Sequence, residues 1–227
     1  METAIELKNV CKAFGANTIY ENVDLMIGKG ECVGFVGGTG TGKSVLFQII
    51  TGLMKVDDGT VVVNGEILGK NGQDFPDNVG ILINEPGYIE YYSGYKNLQL
   101  LAEIQGKIDD KKIQETMTMV GLDYKDKTPV KKYSMGMKQK LGIAQAIMEN
   151  QEIVILDEPY NALDYKSNKE ITKILEQLKE VGKTLLITSH QHEYLKRLCD
   201  RLYCISDHKV VPFTEEMQKK YFGYGFE

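Results

Sequence analysis

The stretch that most constrains this chain is Gly37-Gly38-Thr39-Gly40-Thr41-Gly42-Lys43-Ser44. It follows the apolar run Cys32-Val33-Gly34-Phe35-Val36 and precedes Val45-Leu46-Phe47-Gln48-Ile49-Ile50. A buried strand therefore feeds a glycine-rich turn that opens a helix, which is the setting the G-x-x-x-x-G-K-[ST] pattern requires. Glycines reach φ > 0 and carry no Cβ, so successive backbone N–H groups can turn inward around a polyphosphate. The positive end of the new helix points at the same anion. Lys43 is placed to reach the β- and γ-phosphates, and the Ser44 hydroxyl to ligate Mg²⁺. The other reading of such a stretch, an ordinary βα turn, leaves Lys43 and Ser44 without a purpose.

The surrounding pattern predicts an α/β fold. Residues 4–8 and 19–27 alternate apolar and polar, as an antiparallel strand pair does. Asn64-Gly65 marks a hairpin after Thr60-Val61-Val62-Val63, and Val79-Gly80-Ile81-Leu82-Ile83 is a short buried strand ending at Asn84-Glu85-Pro86. From about Ser93 to Gly121 the residues favour helix: Leu98, Leu101 and Ile104 are expected on one face, and Ile113, Met117 and Val120 on another. A further helix is predicted after Ser134 through Leu141, Ala144, Ile147 and Met148. The segment 87–150 thus reads as a helical lobe inserted in an α/β core. No Ser/Pro-rich linker flanks it, so it should pack on the core. The α/β pattern resumes with strand Ile153–Leu156, a helix over Ser167–Val181, strand Thr184–Thr188, a helix over His192–Arg201 and a last strand or hairpin from Leu202. Residues 214–227 form a tail that ends Tyr221-Phe222-Gly223-Tyr224-Gly225-Phe226.

Two carboxylates, Asp157 and Glu158, end the buried strand 153–156. Ligands of open α/β sheets sit beyond the carboxyl ends of the strands, and adjacent carboxylates there are costly to bury without a cation or proton. Asp157 is therefore the expected partner of Mg²⁺, and Glu158 is placed to polarise a water as general base. Taken alone, the pair could simply cap a helix. His190 follows strand 184–188 at the same sheet edge and could bridge the γ-phosphate and the attacking water. A single histidine is more often structural, so its position carries that reading; His192 and His208 have no such placement. Ser134-Met135-Gly136 opens the helix after it with exposed N–H groups, either a second anion site or an N-cap alone.

These pieces, in this order over about residues 3–213, resemble the nucleotide-binding domain of ABC transporters. Gly37–Ser44 is similar to the Walker A motif, and Ile153–Glu158 to Walker B with its catalytic glutamate. Tyr133-Ser134-Met135-Gly136-Met137-Lys138-Gln139 resembles the L-S-G-G-Q signature, Asn161-Ala162-Leu163-Asp164 the D-loop, and His190 the switch histidine. The resemblance implies a P-loop NTPase core with a mostly parallel sheet, an N-terminal antiparallel β subdomain and an inserted helical lobe, forming one ABC-type domain over 1–227. It implies ATP and Mg²⁺ as ligands and a head-to-tail homo- or heterodimer. Ser134 and Gly136 would grip the γ-phosphate bound by a partner's Lys43, and hydrolysis would reset a separate integral membrane permease. Phe14, before Gly15, matches the aromatic that stacks on adenine; a core Phe is the competing reading.

Several positions depart from the family pattern. Val45 replaces the hydroxyl residue that usually follows Ser44. Asn84 stands in the glutamine position that helps hold Mg²⁺, with Glu85 beside it. Met135 and Met137 replace Gly and Gln of the signature. The Tyr-Ser-x-Gly-Met-Lys-Gln form looks most like the bacterial peptide-antibiotic (bacitracin or lantibiotic) efflux and immunity branch. Tyr88, Tyr91, Tyr92 and Tyr95 are candidates to line a groove for a membrane subunit, local packing being the alternative.

Composition narrows the remaining classes. With 42% hydrophobic and 26% charged residues the chain is an ordinary globular one, and its net charge of −5 disfavours a nucleic-acid partner. No window approaches the roughly 18 apolar residues of a membrane span, and no signal-peptide core opens the sequence. The four cysteines have no C-x-x-C spacing and fit reduced thiols. The expected location is the cytoplasm, at the inner face of the membrane through the permease. Two other functions compete: a non-transport ABC protein acting on ribosomes or DNA, which one acidic cassette disfavours, and an ATP-gated switch with weak turnover, which the complete Lys43, Asp157, Glu158 and His190 set disfavours.

Overall fold

The computed structural model describes residues 2–70, 72–83 and 86–222, with backbone only for 220–222. The chain opens with two long antiparallel strands, β1 (Thr3–Phe14) and β2 (Asn17–Gly28), joined across Gly15 at φ 60°. Val23, Leu25 and Ile27 alternate inward along β2, the period of two that half-buries a strand, and Tyr20 is buried beyond an irregularity in the pairing. β3 (Cys32–Val36) then starts a second sheet and delivers the glycine-rich loop to α1 (Lys43–Ile50). β4 (Asp58–Val63) and β5 (Glu66–Ile67) return to the first sheet, whose order is β2-β1-β4-β5. Their turn uses Asn64 and Gly65 at φ 50° and 84°, the pair of positive φ values a two-residue hairpin needs.

β6 (Val79–Leu82) leads to three helices: α2 (Gly94–Gln105), α3 (Asp110–Met119) and α4 (Met135–Ile147). The side chains of Ser93, Asp109 and Ser134 accept hydrogen bonds from the N–H groups of Lys96, Lys112 and Met137, so each helix is capped at its start. Ile104 departs from expectation: it is 78% exposed, whereas Leu98 and Ala102 are buried. Steps of three residues drift about 60° each around a helix, so Ile104 lies far from Leu98, and the i, i+4 partner Ala102 faces inward instead.

β7 (Ile153–Leu156), α5 (Tyr165–Glu180), β8 (Thr184–Thr188) and α6 (His192–Leu198) follow. β9 (Arg201–Ser206), β10 (Lys209–Pro212) and α7 (Glu215–Phe222) complete the described chain. Helix α6 stops at Leu198 rather than reaching Arg201. Asp200 is clasped by Cys32, donating its N–H to the Cys32 carbonyl (2.7 Å) and accepting the Cys32 N–H on Oδ2 (2.9 Å). Lys179 adds a 2.6 Å bond to Oδ1. That clasp pulls the chain out of the helix and into β9. All four cysteines are free, with Cys32 and Cys199 sulfurs 3.6 Å apart.

The second sheet runs β10-β9-β3-β8-β7-β6; only β10 is antiparallel to its neighbour. β3, β7 and β8 are buried throughout. Ile153, Ile155 and Leu186 point to a core shared with α1 and the antiparallel sheet. Val154, Leu156, Leu185 and Ile187 point to the opposite core, which also contains Leu98, Ile113, Met117 and Leu141 of the helical lobe. The lobe is thus continuous with the main core. It approaches the sheet tightly at Gly80 of β6, where a Cβ would lie 1.7 Å from the Ala146 carbonyl oxygen. Only glycine lets α4 lie this near the sheet. Among the described residues, no helix is long and apolar enough to cross a membrane.

Candidate nucleotide site

The strand order β3-β8-β7 places three carboxyl ends side by side. One carries the glycine-rich loop, the next carries Thr188, Ser189 and His190, and the third carries Asp157 and Glu158. These sets are far apart in the chain and meet only through the parallel register, where Cys32–Phe35 pair with Leu185–Thr188 and Ile153–Leu156 with Thr184–Ile187.

Gly40 and Gly42 hold the loop at φ 80° and 108°, values that L side chains rarely adopt. Gly42 is also tightly enclosed: a Cβ would meet Ile19 Cγ2 at 2.8 Å and the Tyr20 hydroxyl at 3.0 Å. Tyr20 donates a 2.8 Å hydrogen bond to the Gly42 carbonyl, fastening the loop to the antiparallel sheet. At Gly37 a Cβ would approach Thr41 Oγ1 to 2.7 Å and the Ile205 carbonyl to 2.8 Å. Thr41 itself donates to the Gly38 carbonyl at 3.0 Å. Lys43 is buried, with its ammonium donating to the Gly37 and Gly38 carbonyls at 3.0 and 3.1 Å.

Across the cleft, Ser44 Oγ donates to Asp157 Oδ2 at 2.6 Å. The other carboxylate oxygen accepts from Thr188 Oγ1, also at 2.6 Å. Glu158 has φ 51°, a left-handed conformation uncommon outside glycine. Its Oε2 accepts the His190 backbone N–H at 3.0 Å, and the His190 ring Nε2 stands 3.2 Å from its buried Oε1. Thr39, Gly40, Gly42, Lys43, Ser44, Val45, Asp157, Glu158 and His190 all line one cleft of about 570 Å³. Ile19, Met135, Gln139, Asn161 and Ala162 line it too.

Ser44 and Asp157 present hard oxygen donors in contact with each other. Such a pair suits Mg²⁺, which takes one or two protein oxygens and fills its other positions from phosphate and water. Among the described residues no cluster of three or more His, Cys, Asp or Glu side chains competes as a metal site. Asn84 lies outside the described residues, as do Glu85 and residues 223–227 of the aromatic tail.

Gly37, Gly38 and Thr41 of the loop are not part of the cleft lining, and neither are the expected site residues Phe14, Ser134 and Gly136. Phe14 is 48% exposed, with the Lys12 ammonium 5.5 Å from its ring centre. Ser134 Oγ accepts the Met137 N–H, the N-cap reading of that residue. Gly136 is buried where a Cβ would come 2.6 Å from Ser167 Oγ, so it also serves the contact between α4 and α5. Of the four tyrosines, Tyr88 donates to the Lys138 carbonyl and Tyr95 packs on the lobe core. Tyr91 and Tyr92 are exposed, Tyr91 at 74% with Lys131 over its ring.

Sequence reasoning missed Tyr20 and Thr188. Tyr20 gave no signal beyond a place in an alternating strand. Thr188 did give one, a hydroxyl ending a buried strand beside a histidine at the sheet edge.

A family model described as ABC transporter matches residues 20–161. Bacitracin transport ATP-binding protein BcrA of Enterococcus faecalis is 36% identical over 201 residues, covering 88% of this chain and 65% of its own. Lantibiotic transport ATP-binding protein SrtF of Streptococcus pyogenes is 32% identical over 219 residues, 96% of this chain and 92% of its own. Among solved structures, the dimeric post-hydrolysis state of the ATP-binding cassette MJ0796 bound to ADP and Pi superposes with a TM-score of 0.79. It is 26% identical, and the match covers 91% of this chain and 96% of that one.

Proposed function

The chain belongs to the ABC transporter family as an ATP-binding cassette, and we propose that it hydrolyses ATP to drive a separate membrane permease exporting peptide antibiotics or related amphipathic compounds. The observation that carries the catalytic part is the 2.6 Å contact between Ser44 and Asp157 in a cleft shared by Lys43, Glu158 and His190. The export branch is supported by BcrA and SrtF, named for bacitracin and lantibiotic transport.

In this reading the N–H groups of Gly37, Gly38, Thr39, Gly40, Thr41 and Gly42 turn toward the phosphates. Lys43 exchanges two carbonyl partners for phosphate oxygens, a charge-assisted and therefore stronger pairing. Ser44 and Asp157 would hold Mg²⁺, with Asn84 as a further ligand; the ion supplies positive charge against the oxygens of the phosphates being separated. Glu158 accepts a proton from the attacking water as it adds to the γ-phosphorus and the bond to the ADP oxygen breaks. Its Oε2 accepts the His190 N–H and its Oε1 is buried beside the His190 ring, so that residue's backbone and ring together orient the carboxylate. The His190 ring, 3.2 Å from Oε1, is placed to contact both water and γ-phosphate. Val45 offers no hydroxyl to the α-phosphate, so the grip there rests on the backbone and Ser44. Phe14 would stack on adenine.

Ser134 accepts one hydrogen bond as an N-cap, which leaves its own O–H free to donate. Together with Gly136 it would complete the γ-phosphate site of a second molecule in a head-to-tail dimer. The dimeric state of MJ0796 with ADP and Pi supports that arrangement. The helical lobe of about residues 87–150 then acts as an insertion in one ABC-type domain, with exposed Tyr91 and Tyr92 facing the permease. Nucleic acid is not an expected partner of this acidic chain.

Affinity capture from membranes tests this proposal. An integral membrane protein should copurify and stimulate ATP hydrolysis, and Tyr91→Ala with Tyr92→Ala should lower that stimulation. Capture of ribosomes in place of a membrane protein would overturn the transport reading.

A further inference from the structure

Asp157 and Glu158 are joined through Thr188. Leu156 pairs with Ile187 across β7 and β8, so the next residues, Asp157 and Thr188, come level at the strand ends. Thr188 is fully buried. Its hydroxyl donates to Asp157 Oδ1 at 2.6 Å and accepts the Glu158 N–H at 2.8 Å. One oxygen thus holds the side chain of the first carboxylate and the backbone of the second.

Each bond fixes a degree of freedom that hydrolysis needs fixed. With Oδ1 engaged by Thr188, the Asp157 carboxylate cannot rotate, and Oδ2 stays turned toward Ser44. Glu158 sits at φ 51°, a conformation an L residue keeps only when neighbours hold it there. Three bonds do so: its N–H to Thr188, its carbonyl accepting from Asn161 N at 3.0 Å, and its Oε2 accepting from His190 N. The Thr188 bond lies deeper than the His190 bond, and Thr188 itself has no exposed surface where water could replace the lost partner.

We propose that Thr188 is a positioning residue for hydrolysis, its hydroxyl setting the Asp157 carboxylate and the Glu158 backbone in register. This rests on the reading of Asp157 and Glu158 given above. Thr188 lies behind the two carboxylates and outside the cleft lining, so its loss should act on turnover and leave nucleotide affinity in place.

Thr188→Val removes the hydroxyl at nearly constant volume, and Thr188→Ser keeps it. The steady-state rate and the affinity for a fluorescent ATP analogue should be measured on both, and on Glu158→Gln with and without Thr188→Val. Thr188→Val should lower kcat about tenfold or more with KM and analogue affinity within about threefold, and Thr188→Ser should stay within about threefold of the parent. Adding Thr188→Val to Glu158→Gln should cost less than the product of the two separate losses, because part of the Thr188 effect acts through Glu158. Unchanged kcat in Thr188→Val overturns the proposal, as does equal loss in the Ser and Val variants, which would assign the effect to packing. Loss of analogue binding in Thr188→Val also overturns it, by making the hydroxyl a fold requirement. Fully multiplying effects in the double variant would place Thr188 outside the Glu158 pathway. Full activity of Glu158→Gln alone instead defeats the reading of Glu158 as the base, a separate failure.

Discussion

The Tyr20 hydroxyl donates to the carbonyl of Gly42 at 2.8 Å, tying the phosphate loop to a strand of the other sheet. Burial holds this phenol well above the usual tyrosine range, so it remains a protonated donor. Tyr20→Phe keeps the ring and deletes the donor. It should cost about 1 kcal/mol in denaturant unfolding and weaken ATP binding by about threefold to tenfold. Parent-like ATP affinity by titration would show that the loop holds its shape without this tie.

Two glycines of the loop should respond differently to the same change. Gly40 has φ 80° and nothing within 4 Å of an added Cβ, so Gly40→Ala meets the backbone term alone, about 1–2 kcal/mol. Gly42 has φ 108° and a Cβ that would press on Ile19 and Tyr20. Gly42→Ala should therefore unfold at distinctly lower denaturant and lose ATP binding. Equal unfolding midpoints for the two variants would contradict this difference in packing.

Glu158→Gln keeps the shape of the residue and removes its basicity. It should bind ATP with parent-like affinity and hydrolyse it about 10²-fold more slowly or worse. Size-exclusion chromatography with ATP should then show an accumulated dimer. A fully active variant would mean that another group takes the proton.

Burial, followed by the charges of His190 and Lys43, holds His192 below the usual histidine range. The unfolded chain therefore binds a proton that the folded chain resists. This contribution to stability is whole above the unfolded value of about 6.5 and is lost as the pH falls through the lower folded value. Tm should drop between about pH 7.5 and about pH 5.5, and His192→Asn should remove part of that slope. Identical slopes in parent and variant would exclude His192 as a source.

Much of this was legible because the relevant physics is local. The strand–loop–helix setting of Gly37–Ser44 needs only glycines and an apolar run on each side. Ser93 and Ser134 cap helices through bonds to residues three positions on, and Asn64-Gly65 makes its hairpin from its own φ values. Where a long-range contact decides, the local reading fails. Helix preference carries α6 past the point where Asp200 is seized by Cys32 and Lys179; Ile104 is a different case, exposed because three-residue steps drift around the helix.

The sequence by itself determined the residue types of the site: a loop that can surround phosphate, one lysine, hard oxygen donors, a candidate base. Those follow from side-chain chemistry and short spacing. The tertiary structure decided which of them meet. Ser44 touches Asp157, 113 residues away, and Thr188 bridges Asp157 and Glu158 across about 30 residues. Strand order and register govern such meetings, because parallel strands align their carboxyl ends whatever length of chain separates them.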